Sequence, residues 1–472
     1  MLTKSKYVQF LRCPNEYWLK ESEPELFKRE RTVHDRHLRE QGYEVQKLVR
    51  KMSVFQLDPA FYTVEFEQRF EAAGMLSEAD VSVTDQQTGD IALYEIKSAA
   101  SVKNDHYIDL AFQKAVAEAM GLTVSKTYVI TVNNRYLPNG RDLDADMLFN
   151  VTDVSEEVAA LSADTLQNIA RAFEFLETVP VPALTDFCKS KVECAFIQKH
   201  FPDIPAYNVF QVSRLGDKKL NALLGDGIVD IRHIPDDFKL SEIQRIQVDA
   251  ARTGVPYIER DLIASELSSL EYPLNFLDYE TFSYALPIFA DVAPYQKMVF
   301  QYSLHTIDVP GAKPRHSGHI AKNDGSHPAG EVAGRLHNAM KGGIGTVIVW
   351  NQKFEKSCNR DLGRMFPEFA DFYDEVNEHI FDLATIFEKQ WYVHHEFRGK
   401  TSIKKILPVL VPERSYKDMN IADGKSAPVR WYHMATGRLD AEESQTVYND
   451  LWEYCHLDTL AMVEIYNRLM VL

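Results

Sequence analysis

Two separate sets of acidic residues in this chain have the spacing that divalent-metal chemistry requires. In chain order they are Asp80, Glu95 and Lys97, then Asp278, Glu280, Tyr454 and Asp458. Carboxylates that hold a divalent cation serve phosphodiester hydrolysis, because the bound ion activates water and stabilises the leaving oxygen. Two such sets predict either two active sites, or one active site and one copy that has lost its activity.

The first set fits a β-hairpin whose second strand leads into a helix. Asp80 lies on one predicted strand, and the chain returns on the next strand with Glu95 and Lys97. Because side chains alternate along a strand, Glu95 and Lys97 face one side, where Asp80 can share a metal with Glu95. Lys97 would orient the attacking water, help to deprotonate it and offset negative charge. Gln113 on the following helix offers a polar contact. The alternative is an exposed strand with a Glu/Lys pair.

This pattern resembles the PD-(D/E)XK nuclease motif and, over residues 1–202, the RecB-like exonuclease family with its CRISPR-associated members. The resemblance implies that the four residues just named form the site, with magnesium or manganese as the metal. The family also has an acidic residue or histidine on its first helix. Glu44 matches that position best, and His34 and Glu40 are the alternatives.

Many members of the RecB-like family join the two ends of the nuclease domain with an iron–sulfur cluster. Here Cys13 lies near the N-terminus, Cys188 and Cys194 follow the domain, and His200 stands where the family would have a further cysteine. Three thiolates and one imidazole can hold a [4Fe-4S] cluster or a tetrahedral zinc. The resemblance therefore predicts a metal clamp at these four residues. The alternative is a set of ordinary buried cysteines.

The second set begins on an apolar strand and ends on a helix. Asp278 and Glu280 are two residues apart, which puts both on one face of the strand. Tyr454 and Asp458 are four residues apart, or one turn of a helix. The arrangement resembles the DEDD exonucleases, which have an RNase H-like fold. In that family the aspartate binds metal and the tyrosine orients the attacking water.

Two further acids follow predicted strands of the second half. Glu355 stands where the DEDD family usually has an aspartate, and Asp382 is either a neighbour of the site or a cap. With them, the resemblance implies two magnesium or manganese ions about 4 Å apart and trimming from a 3′ end. The alternative is a degenerate RNase H-like fold that serves as a scaffold.

Composition limits the class of protein. The length of 472 residues favours two or three domains. Five cysteines, an odd number in a large chain, argue against a fold held together by disulfide bonds. No apolar run has the length of a membrane span, and the N-terminus lacks the features of a signal peptide, so we expect a cytoplasmic protein without a membrane partner. The net charge of −17 argues against coating nucleic acid through a basic field. It does not exclude a nuclease, since metal-binding carboxylates add negative charge.

Hydrophobic patterning predicts an α/β chain with three parts: 1–202, a helical connector at 203–270, and 271–472. The connector contains Leu224-Gly225-Asp226-Gly227-Ile228, which resembles the turn of a helix–hairpin–helix; a plain turn is the alternative. Predicted strands cover 62–70, 79–84, 91–98, 126–132, 275–281, 298–306 and 346–350. Predicted helices cover 107–120, 153–176, 330–341, 354–366 and 446–470, and 392–437 is predicted as long loops.

The whole layout resembles a bacterial family that fuses a RecB-like nuclease to a DEDD-type domain. The phrases FLDYETF, NQKFEK and YCHLDTLAM carry much of this resemblance. It implies a metal-dependent DNA exonuclease that acts on single strands or ends, in DNA repair or in defence against foreign DNA. The alternatives are an RNA 3′–5′ exonuclease, and a nucleic-acid-binding scaffold with one or both sites inactive.

Overall fold

The structure is a computed structural model, and it describes residues 1–472 except 29, 139–141, 187–193, 290, 323–326, 418 and 422–423. Its contacts divide the chain into two compact units. Unit 1 comprises Met1–Pro202 with Tyr284–Gln296, and unit 2 comprises Asp203–Ser283 with Lys297–Leu472. Both units combine helices with a β-sheet, which agrees with the predicted α/β class. The predicted connector therefore lies within unit 2, and a segment of the predicted third part belongs to unit 1.

Unit 1 contains one mixed sheet and the helices that cover it. Its strands are β1 (Leu2–Thr3), β2 (Tyr62–Ala72), β3 (Met75–Asp85), β4 (Ile91–Lys97), β5 (Val124–Val132) and β6 (Phe149–Asp153). Its helices are α1 (Lys4–Arg12), α2 (Pro14–Ser22), α3 (Val33–Val49), α4 (Asn104–Ala119), α5 (Ala145–Leu148), α6 (Ser155–Ala160), α7 (Ser162–Leu176) and α8 (Ala195–His200).

The sheet of unit 1 is built around β3 and β4. One side of β3 pairs with β2, and the other side carries β1 at its start and β4 at its end. Strand β4 then pairs in parallel with β5, and β5 pairs antiparallel with β6. Helix α4 packs across the sheet, and Ile91 and Leu93 of β4 share its apolar core with Phe112. Because side chains alternate, Glu95 and Lys97 continue this face of β4 toward α4.

Unit 2 contains a larger number of helices around a second sheet. Its strands are β7 (Tyr257–Ile258), β8 (Leu274–Phe282), β9 (Met298–Ile307), β10 (Arg315–Ile320), β11 (Thr346–Val349), β12 (Ile380–Asp382) and β13 (Tyr392–Val393). Its helices are α9 (Asp217–Gly225), α10 (Glu242–Thr253), α11 (Arg260–Ser268), α12 (Pro328–Ala339), α13 (Gln352–Met365), α14 (Ala370–Glu378), α15 (Thr385–Glu388), α16 (Ile403–Leu410), α17 (Ser426–Ala435) and α18 (Ala441–Leu469).

The five-stranded sheet of unit 2 has the order β10–β9–β8–β11–β12. Strands β10, β9 and β8 are antiparallel neighbours, whereas β8, β11 and β12 run in parallel. All ten residues of β9 are buried, because α12 and α18 both pack against this strand. The buried residues of β9 include the polar side chains of Gln301, Ser303, His305 and Thr306. Strands β7 and β13 form a separate small pair.

Most predicted strands and helices agree with the structure to within a few residues, and two predictions were wrong. The predicted helix 153–176 is two helices, since Leu161 at φ −88° and ψ −8° separates α6 from α7. The predicted loop region 392–437 contains β13, α16 and α17, whose short apolar segments are buried despite the Pro and Gly around them. The Gly225 turn ends α9, and the next α-helix begins only at Glu242.

The helices were also compared with the dimensions of a lipid bilayer. None of those within the described ranges is both long enough and apolar enough to span it.

Candidate functional site

The first candidate site lies where β3 and β4 meet α3 and α4. The register that pairs Val81 with Tyr94 brings Asp80 to the level of Glu95 on the neighbouring strand. Oδ2 of Asp80 accepts a hydrogen bond of 2.7 Å from the backbone N–H of Ile96, and Oδ1 accepts one of 3.1 Å from Nε2 of Gln46 on α3. These bonds fix the Asp80 carboxylate at the edge of the site.

Glu95 is the centre of this site and is only 2% exposed. Its Oε1 forms ion pairs of 2.7 Å with Nζ of Lys97 and with Nζ of Lys4. Its Oε2 accepts a hydrogen bond from Nε2 of Gln113. Lys97 also pairs with Asp109 on α4 at 2.5 Å. The four residues predicted for the site, Asp80, Glu95, Lys97 and Gln113, are thus brought together.

The carboxyl groups of the first site have opposite protonation tendencies. Burial and the neighbouring Glu95 raise the pKa of Asp80 to about 7, although its bond from Ile96 acts the other way. Burial would also raise the pKa of Glu95, but Lys4 and Lys97 outweigh it and hold that pKa below its usual value. Burial opposes the charge on Lys97, yet Glu95 and Asp109 raise its pKa above the usual range. Lys97 therefore stays cationic, while Asp80 is a poorly compensated carboxylate.

The residue that α3 contributes differs from the prediction. Gln46, rather than Glu44, contacts Asp80. The predicted Glu44 instead accepts a hydrogen bond of 3.2 Å from the hydroxyl of Tyr284 in the same unit. Sequence reasoning missed Gln46 because the search was limited to acidic residues and histidines. It missed Lys4 because nothing at the start of the chain indicates that β1 joins this sheet.

The predicted metal clamp is only partly within the described residues. Cys13 and Cys194 are both buried at the starts of α2 and α8, which pack against each other. The ring of His200 lies 4.5 Å from that of Phe196, and among the described residues His200 does not join the two cysteines in a three-ligand group. Cys188 lies outside the described residues. The clamp therefore stays a prediction, without geometric support for His200.

The second candidate site lies on β8, opposite the C-terminal half of α18. One carboxylate oxygen from each of Asp278, Glu280 and Asp458 falls within 4.8 Å of the other two. Glu280 and Asp458 are 8% and 9% exposed. A cavity of about 340 Å³ opens onto this group, and its lining includes Asp278, Glu280, Glu355, Lys404, Tyr454 and Asp458. The structure thus gathers every predicted residue of the second site except Asp382.

Among the described residues, the lining of the second site has more carboxyl groups than cationic groups. Burial, with Asp458, Glu280 and Glu355, raises the pKa of Asp278 well above its usual value. Burial raises the pKa of Asp458 to about 6, although Tyr416 and Lys404 act in the opposite direction. Burial also raises the pKa of Glu355 to about 8. Its Oε2 is buried without a hydrogen-bond partner in the described part of the chain.

Two further residues complete the second site, and sequence reasoning assigned neither. The hydroxyl of Tyr416 donates a hydrogen bond of 2.7 Å to Oδ1 of Asp458. Nζ of Lys404 donates one of 3.1 Å to the hydroxyl of Tyr454 and lies over the Tyr454 ring. Lys404 belongs to the SIKKIL segment of α16, so that segment was the available signal. Tyr416 lies outside any regular element and gave none.

Asp382 is a cap and not part of the cavity. Its Oδ2 accepts a hydrogen bond of 2.9 Å from the N–H of Gln352, the first residue of α13, and its Oδ1 accepts one of 3.1 Å from Ala384. A carboxylate at a helix N-terminus satisfies a backbone donor that has no partner within the helix. Asp382 therefore positions Glu355 indirectly, because Glu355 lies in the first turn of α13.

The charge cluster of the second site makes stability depend on pH in the absence of metal. A carboxyl group whose pKa is raised by folding stabilises the protein below its unfolded pKa, and this contribution is lost as pH rises through the folded pKa. For Asp458 that window runs from about 4 to about 6. In chelator, we expect Asp278→Asn to melt about 3 °C or more above the parent at pH 8, since it removes one repelling charge. The gain should shrink toward pH 5.

Differential scanning fluorimetry of both proteins, with and without manganese, checks this expectation. Manganese should raise the melting temperature of the parent more than that of Asp278→Asn at pH 8. If the difference in melting temperature between the two proteins is the same at pH 5 and pH 8, the cluster carries no excess charge.

Comparison with known proteins matches part of the second half of the chain to a family model. Residues 275–402 match a domain of unknown function, DUF2779. The match includes Asp278, Glu280 and Glu355, but not Tyr454 or Asp458. A protein of Ureaplasma parvum serovar 3, described as uncharacterised, is 25% identical over 138 residues. That similarity covers 25% of this chain and 20% of the length of the Ureaplasma protein.

Proposed function

We propose that this chain is a metal-dependent DNA exonuclease, with a site in unit 2 that removes nucleotides from 3′ ends and a site in unit 1 that cuts single strands or ends. One observation carries the proposal: Asp278, Glu280 and Asp458 hold carboxylate oxygens within 4.8 Å of one another beside a cavity. Structural carboxylates are normally paired with cations or donors, because burying unpaired charge is costly. A cluster of carboxyl groups whose charged forms are disfavoured by burial and by one another is better explained by a cationic ligand.

The second site fits magnesium or manganese. These are hard cations that prefer oxygen donors, and the four carboxylates supply only oxygen. Asp278, Glu280 and Asp458 would hold the metal, and the partnerless Oε2 of Glu355 provides a further donor. When bound, the metal activates water and stabilises the leaving oxygen.

The remaining residues of the second site position the reacting groups. Burial raises the pKa of Tyr454 far above its usual value, so the phenol stays protonated and can donate a hydrogen bond to water. Lys404 donates to the Tyr454 oxygen and thereby directs the phenol hydrogen elsewhere. Tyr416 fixes Oδ1 of Asp458 by its hydrogen bond. The cavity of about 340 Å³ has room for the terminal part of a nucleotide strand.

The first site supports a second hydrolytic centre in the same chain. Asp80 and Glu95 provide oxygen donors, and the raised pKa of Asp80 reflects charge that a cation would relieve. Lys97 offers a permanent positive charge where negative charge would develop in hydrolysis. Gln113 holds the second oxygen of Glu95. These roles are those that the resemblance to the RecB-like family implies.

The folds of both units support the family assignments made from the motifs. In unit 1 the chain runs through α3, β2, β3, β4, α4 and β5, which is the order of elements expected around a PD-(D/E)XK motif. In unit 2 a mixed five-stranded sheet carries helices on both faces, and the acidic pair lies on its central strand β8. An RNase H-like domain is therefore our proposal for unit 2.

Degradation of end-labelled oligonucleotides tests this function. We expect purified protein with manganese to shorten single-stranded DNA progressively when the label is at the 5′ end, and to release labelled mononucleotide at once when it is at the 3′ end. Chelator should abolish both. A matched RNA degraded faster than the DNA would assign the enzyme to RNA instead. Absence of cleavage of DNA and RNA with manganese or magnesium would contradict the proposal and leave a scaffold role.

A further inference from the structure

Three histidines of unit 2 form a cluster apart from both carboxylate sites. His305 lies on β9, His316 is its partner on β10, and His456 reaches them from α18, which packs over both strands. Their ring centroids are 4.4–4.8 Å apart. One ring nitrogen from each falls within 4.8 Å of the other two. Three imidazoles converge in this way when they share a ligand or fill an apolar core.

Hydroxyl groups contact one ring nitrogen in each of two of these histidines. Nδ1 of His305 is 2.8 Å from Oγ1 of Thr459, and Nε2 of His316 is 2.9 Å from Oγ of Ser303. The two hydroxyls are themselves 2.7 Å apart, so they form one continuous chain. Histidines that bind metal commonly engage their second ring nitrogen in this manner, which fixes the tautomer and the ring orientation.

We propose that His305, His316 and His456 bind one divalent transition-metal ion of the zinc type, with water as the fourth ligand. The chain of hydroxyls assigns Nε2 of His305 and Nδ1 of His316 as ligand atoms. Imidazole nitrogen suits zinc, whereas the carboxylate sites suit magnesium and manganese. Ligands of a tetrahedral zinc lie about 3.3 Å apart, so small side-chain rotations close the group around the ion.

The electrostatic surroundings keep these rings in the form that binds metal. Burial, with the two other histidines, lowers the pKa of His305 to about 3, and burial with His456 lowers that of His316 to about 4. Burial and then Arg414 lower the pKa of His456. Neutral imidazole is the ligating form, and the lowered pKa values favour it.

The ion would connect strands β9 and β10 to helix α18. This helix also carries Tyr454 and Asp458 of the second carboxylate site, so the zinc-type ion would stabilise the packing on which that site depends. The proposal does not rest on nuclease activity, because it follows from the imidazole group alone.

Metal titration of the chelator-treated full chain tests this site. Equilibrium dialysis against zinc should show about one ion per chain held tightly. Cobalt should give the intense visible absorption of a tetrahedral nitrogen site, which carboxylate-bound cobalt does not give. His316→Gln and His456→Gln should each weaken binding at least tenfold. His319→Gln is the matched control, since His319 lies on the same strand β10 and pairs with Glu331 at 2.7 Å.

The outcomes separate this site from the carboxylate sites and from a structural cluster. Asp278→Asn should keep the cobalt absorption while it loses manganese-dependent trimming of 3′ ends. A parent chain that binds no zinc would overturn the proposal regardless of how the variants fold. Equal loss of zinc in His319→Gln and His316→Gln would also overturn it, since it would show that the imidazole group is not the binding site.

Discussion

Asp278→Asn is expected to lose manganese-dependent trimming of 3′ ends by about 10³-fold, which corresponds to about 4 kcal/mol of transition-state stabilisation. Asp278 sits between the other carboxylates of the second site, and the charges of Asp458, Glu280 and Glu355 all act on it. Asparagine keeps the size of the side chain but removes the charge, so the metal loses a central ligand. The loss should appear mainly in kcat, measured as release of the 3′-labelled nucleotide at saturating DNA.

Asp382→Asn is the matched control for this experiment. Asp382 is also an aspartate on a strand of the same sheet, but its oxygens accept hydrogen bonds from the backbone of Gln352 and Ala384. Asparagine keeps one acceptor oxygen and can still cap the first turn of α13, so activity should stay within about threefold of the parent. Equal activity of Asp278→Asn and Asp382→Asn would refute the metal site in unit 2. The higher melting temperature expected of Asp278→Asn in chelator separates loss of function from loss of fold.

The carboxylates of both sites could be predicted because local rules determine their positions. Asp278 and Glu280 share a face of β8 because side chains alternate along a strand. Tyr454 and Asp458 share a face of a helix because they are four residues apart. Glu355 was found from its place after a predicted strand, and the structure puts it at the same cavity. The element order around each site followed from the same short-range patterns.

The residues that were missed depend on contacts between distant parts of the chain. Lys4 reaches Glu95 because β1, only two residues long, pairs with β3 at Leu2 and Met75. No periodicity can be read from two residues. Tyr416 reaches Asp458 from a segment without regular structure. In each case contacts with distant parts of the chain determine where the residue lies, and such contacts cannot be predicted from a local sequence pattern.

The segment 284–296 was misassigned for the same reason. It follows β8 directly, so its sequence position predicts that it belongs with the second sheet. In the structure it groups with unit 1, where Tyr284 donates to Glu44 and the hydroxyl of Tyr295 lies 3.3 Å from that of Ser98. An insertion between two strands is free to pack wherever its side chains find partners. Prediction from neighbouring elements therefore fails there.

The two lysines of the first site are expected to have opposite roles. Both Nζ atoms lie 2.7 Å from Oε1 of Glu95, an oxygen that a metal would need. Lys97 is also held by Asp109 at 2.5 Å, so its ammonium has an anchor that remains when Glu95 turns to a metal. The described ion pair of Lys4 is with Glu95 alone, and its side chain is 27% exposed. A metal should therefore displace Lys4 and leave Lys97 in place.

Lys97→Met in an Asp278→Asn background should reduce the remaining cleavage of single-stranded DNA by about 10²-fold while manganese still binds, because it removes charge stabilisation rather than a metal ligand. Lys4→Met in the same background should instead tighten manganese binding, since the ion no longer competes with an ammonium for Glu95. Cleavage measured against manganese concentration separates the two variants. Lys97→Met should lower the maximal rate, and Lys4→Met should lower the manganese concentration at half-saturation.

Lys126→Met, which removes an exposed lysine paired with Asp153 on the same sheet, is the control and should match the background. If Lys97→Met behaves like Lys126→Met, the first site is not a hydrolytic centre. If Lys4→Met loses activity as Lys97→Met does, both ammonium groups act on the substrate and Lys4 is not displaced by metal.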